Sequence, residues 1–117
     1  MAELIVRSKI KEVAKEFNVA GDFADALDKM AVEQVNLAVG RASANGRRTV
    51  QAKDVYPGKG TAKEMLIVKS RVKDVAKTHN VAGDFAEALS AEVEKLIIKA
   101  TERAKANKRS TIQPRDL

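Results

Sequence analysis

The sequence predicts an all-α protein in which two copies of one helical unit share a single hydrophobic core. The chain of 117 residues repeats itself at a constant offset of 62, so that Leu4–Lys9 returns as Leu66–Arg71 and Asn18–Ala24 returns as Asn80–Ala86. Apolar residues recur at helical spacing in both copies. A unit of about 50 residues is close to the lower limit for an independent core. The two copies are therefore expected to complete each other's core.

Each copy begins with a short amphipathic helix. The apolar positions that predict it are Val6, Ile10, Val13 and Phe17 in the first copy and Val68, Val72 and Val75 in the second. An Asn-Val-Ala-Gly segment follows in both copies, at 18–21 and 80–83, and indicates a loop.

A longer helix follows each loop. Asp22 and Asp84 are suitable N-cap residues. An acidic residue three positions later, Asp25 or Glu87, completes the pattern of a capping box. The predicted core positions are Phe23, Leu27, Ala31, Val35, Ala38 and Ala42 in the first long helix and Phe85, Leu89, Val93, Leu96, Ala100 and Ala104 in the second.

After the long helix each copy continues with a short extended piece and about one helical turn. Gly46 ends the first long helix, because glycine accepts the left-handed conformation that follows a last turn. Lys108 stands at the equivalent place in the second copy. The extended pieces centre on Thr49-Val50 and Thr111-Ile112, and Pro114 suits the first position of the turn that follows. These features divide the chain into a first repeat (1–55), a linker (56–65) and a second repeat (66–117).

The charge of the chain favours a polyanionic partner. It carries 22 basic and 16 acidic side chains, a net charge of +6, and such an excess attracts nucleic acids and other polyanions. No apolar run approaches the ~20 residues that a membrane-spanning helix needs. No signal-peptide pattern is present, and the absence of cysteine excludes disulfides and thiolate chemistry. A cytoplasmic location is expected.

The second loop carries a resemblance to a known family. Gly46–Asp54 is similar to the second loop of archaeal histones. The spacing Arg-x-Thr-x-x-x-x-Asp occurs twice, at Arg47, Thr49 and Asp54 and at Arg109, Thr111 and Asp116. The order of short helix, long helix and truncated third helix resembles the histone fold, and in particular the short-tailed prokaryotic histones of archaea or bacteria. The resemblance implies a histone doublet, in which two fused repeats form an intramolecular handshake pseudodimer with the second loops at opposite ends.

The resemblance also implies a structural clamp in each second loop. Arg47 would pair with Asp54, and Arg109 with Asp116. The alternative is an exposed ion pair, which contributes ~0–1 kcal/mol. Because the second repeat preserves the spacing, the clamp is the favoured interpretation.

Cations near the second loops and along the first helices are the candidate DNA contacts. Phosphate groups accept hydrogen bonds from Arg, Lys and Thr side chains. The candidates in the loops are Arg48, Thr49, Lys53, Lys108, Thr111 and Arg115. The candidates on the helices are two stripes at i, i+4, i+8, formed by Arg7, Lys11 and Lys15 and by Lys69, Lys73 and Lys77. A solvated face is the alternative interpretation of both stripes.

The two long helices differ in one respect. Met30, Val32, Leu37 and Val39 are apolar, whereas the equivalent positions hold Glu92, Glu94, Lys99 and Thr101. The apolar set is a candidate oligomer interface, which would produce a dimer of pseudodimers. The alternative is local packing against the linker or a first helix.

No catalytic, metal or cofactor site is expected. His79 is the only histidine, and the residues offer no nucleophile with a base and an orienting group. The segment Gly58–Thr61 lacks the glycine spacing of a phosphate loop. The sequence therefore predicts a non-enzymatic, nucleoid-associated protein that binds duplex DNA through its backbone and does not read base sequence. The alternative is a histone-fold subunit whose partner is another protein and whose DNA contact is incidental; whether DNA is bent, bridged or wrapped stays open.

Overall fold

The computed structural model describes residues 4–55, 66–77 and 79–117, so the predicted linker lies outside the described residues. The first repeat contains α1 (Arg7–Ala14), β1 (Asn18–Val19), α2 (Gly21–Ala44), β2 (Thr49–Val50) and a 3-10 turn (Ala52–Asp54). The second repeat contains α3 (Lys69–Ala76), β3 (Asn80–Val81), α4 (Phe85–Ala106), β4 (Thr111–Ile112) and a 3-10 turn (Pro114–Asp116). The predicted helical class is confirmed, and the third helix is reduced to one 3-10 turn in each repeat.

The starts of the long helices differ from the prediction. α2 begins at Gly21 with Ala20 as its N-cap, so Asp22 lies within the first turn, where its charge favours the helix dipole. Asp84 is the N-cap of α4, but its side chain makes no capping hydrogen bond. The predicted N-cap position is therefore wrong for Asp22 and confirmed for Asp84, although the Asp84 side chain forms no cap. A tight turn takes the place of a side-chain cap in α2, where the Phe23 N–H bonds to the Ala20 carbonyl at 3.0 Å.

Two parallel strand pairs join the repeats. β1 pairs with β4, with Asn18 opposite Thr111, and β2 pairs with β3, with Thr49 opposite Asn80. Each pair therefore joins the first loop of one repeat to the second loop of the other.

A third pairing lies just before the short helices. Ile5 and Ile67 form an antiparallel bridge, in which the Val6 N–H bonds to the Leu66 carbonyl at 2.7 Å and the Val68 N–H bonds to the Leu4 carbonyl at 2.8 Å. Because these segments are extended, α1 begins at Arg7 and Val6 is its N-cap.

The two extended segments are held by different side chains. Asp28 of α2 is buried, and its Oδ1 accepts the N–H groups of Leu4 at 2.6 Å and Ile5 at 3.2 Å. In the second repeat the Ser90 Oγ accepts the Leu66 N–H at 2.9 Å. A buried N–H without an acceptor is costly, so both side chains support the bridge between the repeats.

The core is shared between the repeats. α2 contacts α4, while each short helix contacts the long helix of the other repeat, α1 on α4 and α3 on α2. The six core positions predicted for α2 are all buried. In α4 the prediction fails at Leu96, which is half-buried, because the buried face passes through Ile97 instead. No helix in the described part of the chain is both long and apolar enough to span a membrane.

Candidate nucleic-acid interface

Strand pairing brings cations from both repeats to each end of the molecule. At the β2–β3 end the Arg48 carbonyl accepts the Asn80 N–H at 2.7 Å, which sets Arg48 beside the loop that follows Lys77. At the β1–β4 end the Ser110 carbonyl accepts the Asn18 N–H at 2.8 Å. Two lysines therefore approach the β1–β4 end, Lys108 from the second repeat and Lys15 from the first. The long axis of the molecule is 47 Å.

The candidate cations of the two ends are accessible to a partner. Six basic side chains are exposed, namely Arg48, Lys53 and Lys77 at the β2–β3 end and Lys15, Lys108 and Arg115 at the β1–β4 end. Thr49 and Thr111 are half-buried within β2 and β4. The cations of each end thus come from both repeats.

Three of these lysines have a left-handed backbone. The positive φ angles are 58° at Lys15, 56° at Lys77 and 57° at Lys108, and no other non-glycine residue among those described has one. A positive φ is sterically unfavourable for a residue with a Cβ atom. Lys15 and Lys77 are the C-caps of α1 and α3, and Lys108 follows the C-cap of α4, so the positive φ ends a helix at each place. All three residues are also candidate DNA contacts.

Two lysines of the predicted stripes are used inside the molecule. The Lys11 ammonium donates to the Phe17 carbonyl at 2.5 Å. The Lys73 ammonium donates to the carbonyls of His79 at 2.6 Å and Lys77 at 3.1 Å. Both ammonium groups therefore satisfy carbonyls beyond the end of a short helix, which their sequence spacing did not reveal.

The first residues of the short helices lie near the bridge between the repeats. Arg7 and Lys69 each stand two positions after the bridged residues Ile5 and Ile67. The Arg7 guanidinium bonds to Asp25 at 2.6 Å, and both side chains are largely exposed. An exposed ion pair contributes ~0–1 kcal/mol, so this pair adds little to the stability of the fold.

A network of hydrogen bonds around Asp54 holds the second loop of the first repeat. The Arg47 guanidinium makes two parallel bonds to the carboxylate, at 2.7 and 2.8 Å, and the Gln51 N–H adds a third at 2.8 Å. The Arg41 guanidinium donates to the Asp54 carbonyl at 2.6 Å. Asp54 is buried while Arg47 is partly exposed, so the arginine links a buried carboxylate to the surface.

The second repeat reproduces this network around Asp116. Arg109 makes paired bonds to the carboxylate at 2.5 and 2.8 Å, the Gln113 N–H donates at 2.8 Å, and Arg103 donates to the Asp116 carbonyl at 2.6 Å. Hydrogen bonding to Arg47 and to Arg109 lowers the pKa of Asp54 and of Asp116 below the ordinary range. Both carboxylates are therefore held in the charged form.

The arrangement of these elements matches that of a histone. The crystal structure of the histone from Methanopyrus kandleri is similar with a TM-score of 0.70 and 19% sequence identity, over 96% of this chain and 89% of that chain. The chain has the histone fold. No protein-family model matches the sequence, and the comparison with curated proteins gives no match. At this level of identity the likeness shows the fold, so a function has to be argued from the site.

Sequence reasoning missed one pair of arginines in this histone fold. Arg41 and Arg103 line polar clefts of about 490 and 430 Å³ at the two ends, each beside the carboxylate of the local network. The repeat offset of 62 relates them, as it relates Asn45 and Asn107, which lie in the same clefts. Their identity in both repeats is the signal that could have revealed them.

The candidate oligomer residues do not form one exposed face. Val32 and Val39 are half-buried and pack against the core, and Met30 is half-buried. Leu37 is 53% exposed. Local packing therefore accounts for the two valines, and Leu37 is the member of the set that a partner can reach.

His79 has a structural contact. Its Nε2 lies 3.0 Å from the Ser43 Oγ of α2. Within the described ranges, no three His, Cys, Asp or Glu side chains are grouped so as to hold a metal ion.

Proposed function

We propose that the chain is a histone-like architectural protein that binds duplex DNA through its phosphate backbone and does not read base sequence. The two repeats act as one pseudodimer, with a basic site at each end and a third at the bridge between the short helices. The proposal includes no catalysis, and it places the protein in the cytoplasm on the nucleoid.

The observation that carries the proposal is the pairing of loops between repeats. Because β2 pairs with β3 and β1 with β4, each end combines cations of both repeats. The 47 Å length exceeds one helical turn of duplex DNA, which is about 34 Å. One molecule can therefore reach phosphates about a turn apart. The match to a single histone chain over 96% of this chain includes both repeats and supports the pseudodimer.

The central contact is the weaker part of this interface. Arg7 is exposed and paired with Asp25, and Lys69 is exposed beside the bridge, whereas Lys11 and Lys73 bind carbonyl groups. An ammonium group has three donors, so Lys11 and Lys73 can add to a phosphate contact, but their first role is local. We expect the two ends to supply most of the affinity.

The proposal is tested by removing charge from one end. Arg48→Ala with Lys53→Ala should reduce the steepness of the slope of log K against log salt by about 1–2, and it should weaken binding to all duplex sequences equally. Fluorescence anisotropy with several duplexes at several salt concentrations measures both effects. The matched control is Lys29→Ala with Lys99→Ala, which removes two exposed charges on the long helices and should change the slope by less than about 0.5.

Two results would contradict the proposal. One is a strong preference for a particular sequence, since phosphate contacts carry no sequence information. The other is a variant with unchanged affinity together with a salt-resistant protein partner, which would favour the histone-fold subunit with incidental DNA contact.

We also propose that the chain associates with itself. The sequence suggests a dimer of pseudodimers through the apolar positions of α2, of which Leu37 is the exposed one. A closed dimer would then place two α2 helices face to face.

A further inference from the structure

Two large apolar side chains are exposed on the surface of the described residues. Leu37 on α2 is 53% exposed and Ile98 on α4 is 42% exposed. Each belongs to one repeat only, because Lys99 is equivalent to Leu37 and Asn36 is equivalent to Ile98. The two exposed side chains are thus departures from the internal symmetry.

Ile98 lies in a groove between α1 and α4. The groove has a volume of about 460 Å³, with Val13, Phe17 and Ile98 among its apolar lining residues. Its acidic lining consists of Glu12, Glu16 and Glu94, with Lys15 as a cation in the same lining. The groove therefore combines an apolar floor with an acidic surround in a chain whose net charge is positive.

Two valines of the first repeat are replaced by polar residues at the groove. Val32 and Val39 of α2 are half-buried and pack against the core. The equivalent residues of α4 are Glu94 and Thr101, and both line the groove. The lining of the groove thus differs in chemistry from the equivalent positions of the first repeat.

Leu37 lies one helical turn from Gly40, a glycine that packing within the chain does not require. Gly40 is exposed in the middle of α2, and a Cβ atom added there would meet nothing within 4 Å. Glycine is the least favourable residue in a helix after proline. A side chain absent from an open surface leaves room for another molecule to approach the helix closely.

We propose that Leu37 of one chain inserts into the α1–α4 groove of a second copy of this chain. The proposal rests on the proposed self-association, and it replaces the face-to-face contact of two α2 helices with insertion of α2 into the groove. Lys29 and Arg41 flank Leu37 along α2, with Glu33 between them, whereas the groove lining carries three carboxylates and one cation. The charges of the two surfaces are therefore complementary.

Each chain carries one Leu37 and one groove. The contact can therefore close reciprocally about a twofold axis, with each Leu37 in the groove of the other chain, or extend to rings or open chains.

The test is sedimentation velocity without DNA over a wide range of protein concentration. The unmodified chain should associate to dimers or larger species as its concentration rises. Leu37→Lys, which introduces the residue of the second repeat, should weaken self-association at least tenfold. Ile98→Asn, which replaces the exposed apolar residue of the groove with the residue of the first repeat, should do the same. Asn80→Lys adds a charge at an exposed position of β3, outside α2 and the groove, and is the control without effect.

A mixture of the two variants gives the sharpest result. Leu37→Lys keeps an intact groove, and Ile98→Asn keeps an intact Leu37, so the mixture should form complexes of two chains and no larger species. Three outcomes would overturn the proposal: a chain that is monomeric at every concentration, a mixture that stays monomeric, or a closed dimer that is lost in Leu37→Lys but kept in the groove variant. Because no DNA is present, none of these outcomes bears on the DNA binding proposed above.

Discussion

At the scale of single residues, Asp54 and Asp116 each hold a loop that has little regular structure. Each buried carboxylate accepts two hydrogen bonds from one arginine and one from a backbone N–H. The backbone carbonyl of the same aspartate accepts a hydrogen bond from a second arginine. Bidentate charge-assisted bonds fix both distance and orientation. These bonds therefore hold the second loops, which lie next to the exposed cations, in one conformation.

We predict that acid destabilises the protein through these two carboxyls. Their pKa is lowered in the folded state, so the unfolded chain binds protons first as the pH falls. The stabilisation is complete above the ordinary carboxyl pKa of about 3.9 and is lost as the pH falls through the lower folded-state pKa. Urea denaturation between neutral and acid pH measures this loss. The double variant Asp54→Asn with Asp116→Asn should be less stable than the unmodified chain at neutral pH and should lose less stability below pH ~4. An unchanged pH dependence in the double variant would contradict the assignment.

A second prediction concerns the left-handed Lys108. Gly46 has the equivalent position with φ 68°, and glycine adopts this conformation without the steric cost of a Cβ atom. Lys108→Gly should raise the free energy of unfolding by about 1 kcal/mol and reduce the salt slope of DNA binding by about 1. Denaturation and anisotropy titration of the same variant check both effects. Gly46→Lys is the matched reverse change and should lower stability; a Lys108→Gly variant that is less stable would show that the backbone there is not strained.

At the scale of elements, α2 and α4 occupy equivalent places but have different outer faces. α2 carries Leu37 and Gly40 where α4 carries Lys99 and Glu102. α2 also packs Val32 and Val39 against the core, where α4 leaves a groove beside α1. The two equivalent helices therefore present different side chains on their outer faces.

We predict that Gly40→Ala stabilises the chain. The site is open, and alanine is favoured over glycine in a helix interior by about 0.8–1.0 kcal/mol. The free energy of unfolding is best measured by urea denaturation in the Leu37→Lys background, so that self-association does not contribute. An equal or lower stability would mean that Gly40 has a packing role within its own chain.

The sequence predicted those features that depend on spacing along the chain. The core positions of α2 follow from helical periodicity. The pairing of Arg47 with Asp54 was implied by the resemblance to the histone loop, and the repeated spacing favoured it. The sequence could not predict features set by distant neighbours. Leu4–Val6 is extended because the second repeat supplies bonding partners, and the ammonium of Lys11 is held by a carbonyl that only the folded loop presents.

At the scale of the whole molecule, the two repeats depend on each other. Each short helix contacts the long helix of the other repeat, and all three backbone pairings described above run between repeats. The apolar face of one repeat would be open to water without the other. Two-helix fragments of this size are marginally stable in water.

We therefore predict that a fragment of residues 66–117 does not form a stable monomer. It should be unfolded, or folded only as a dimer in which a second copy replaces the missing repeat. Circular dichroism over a range of concentrations, together with light scattering, measures this. A monomeric fragment with cooperative helical unfolding would show that one repeat carries its own core.

The measurement that tests DNA backbone binding most directly is the salt dependence of affinity for the unmodified chain. Binding that releases counterions from about five or six phosphates gives a slope of log K against log salt on the order of −4 to −6. The account predicts a slope in this range with the same value for duplexes of unrelated sequence, because the contacts come from the cations of the two ends and the central bridge. A slope close to zero, or one duplex bound far more tightly than the rest, would contradict it.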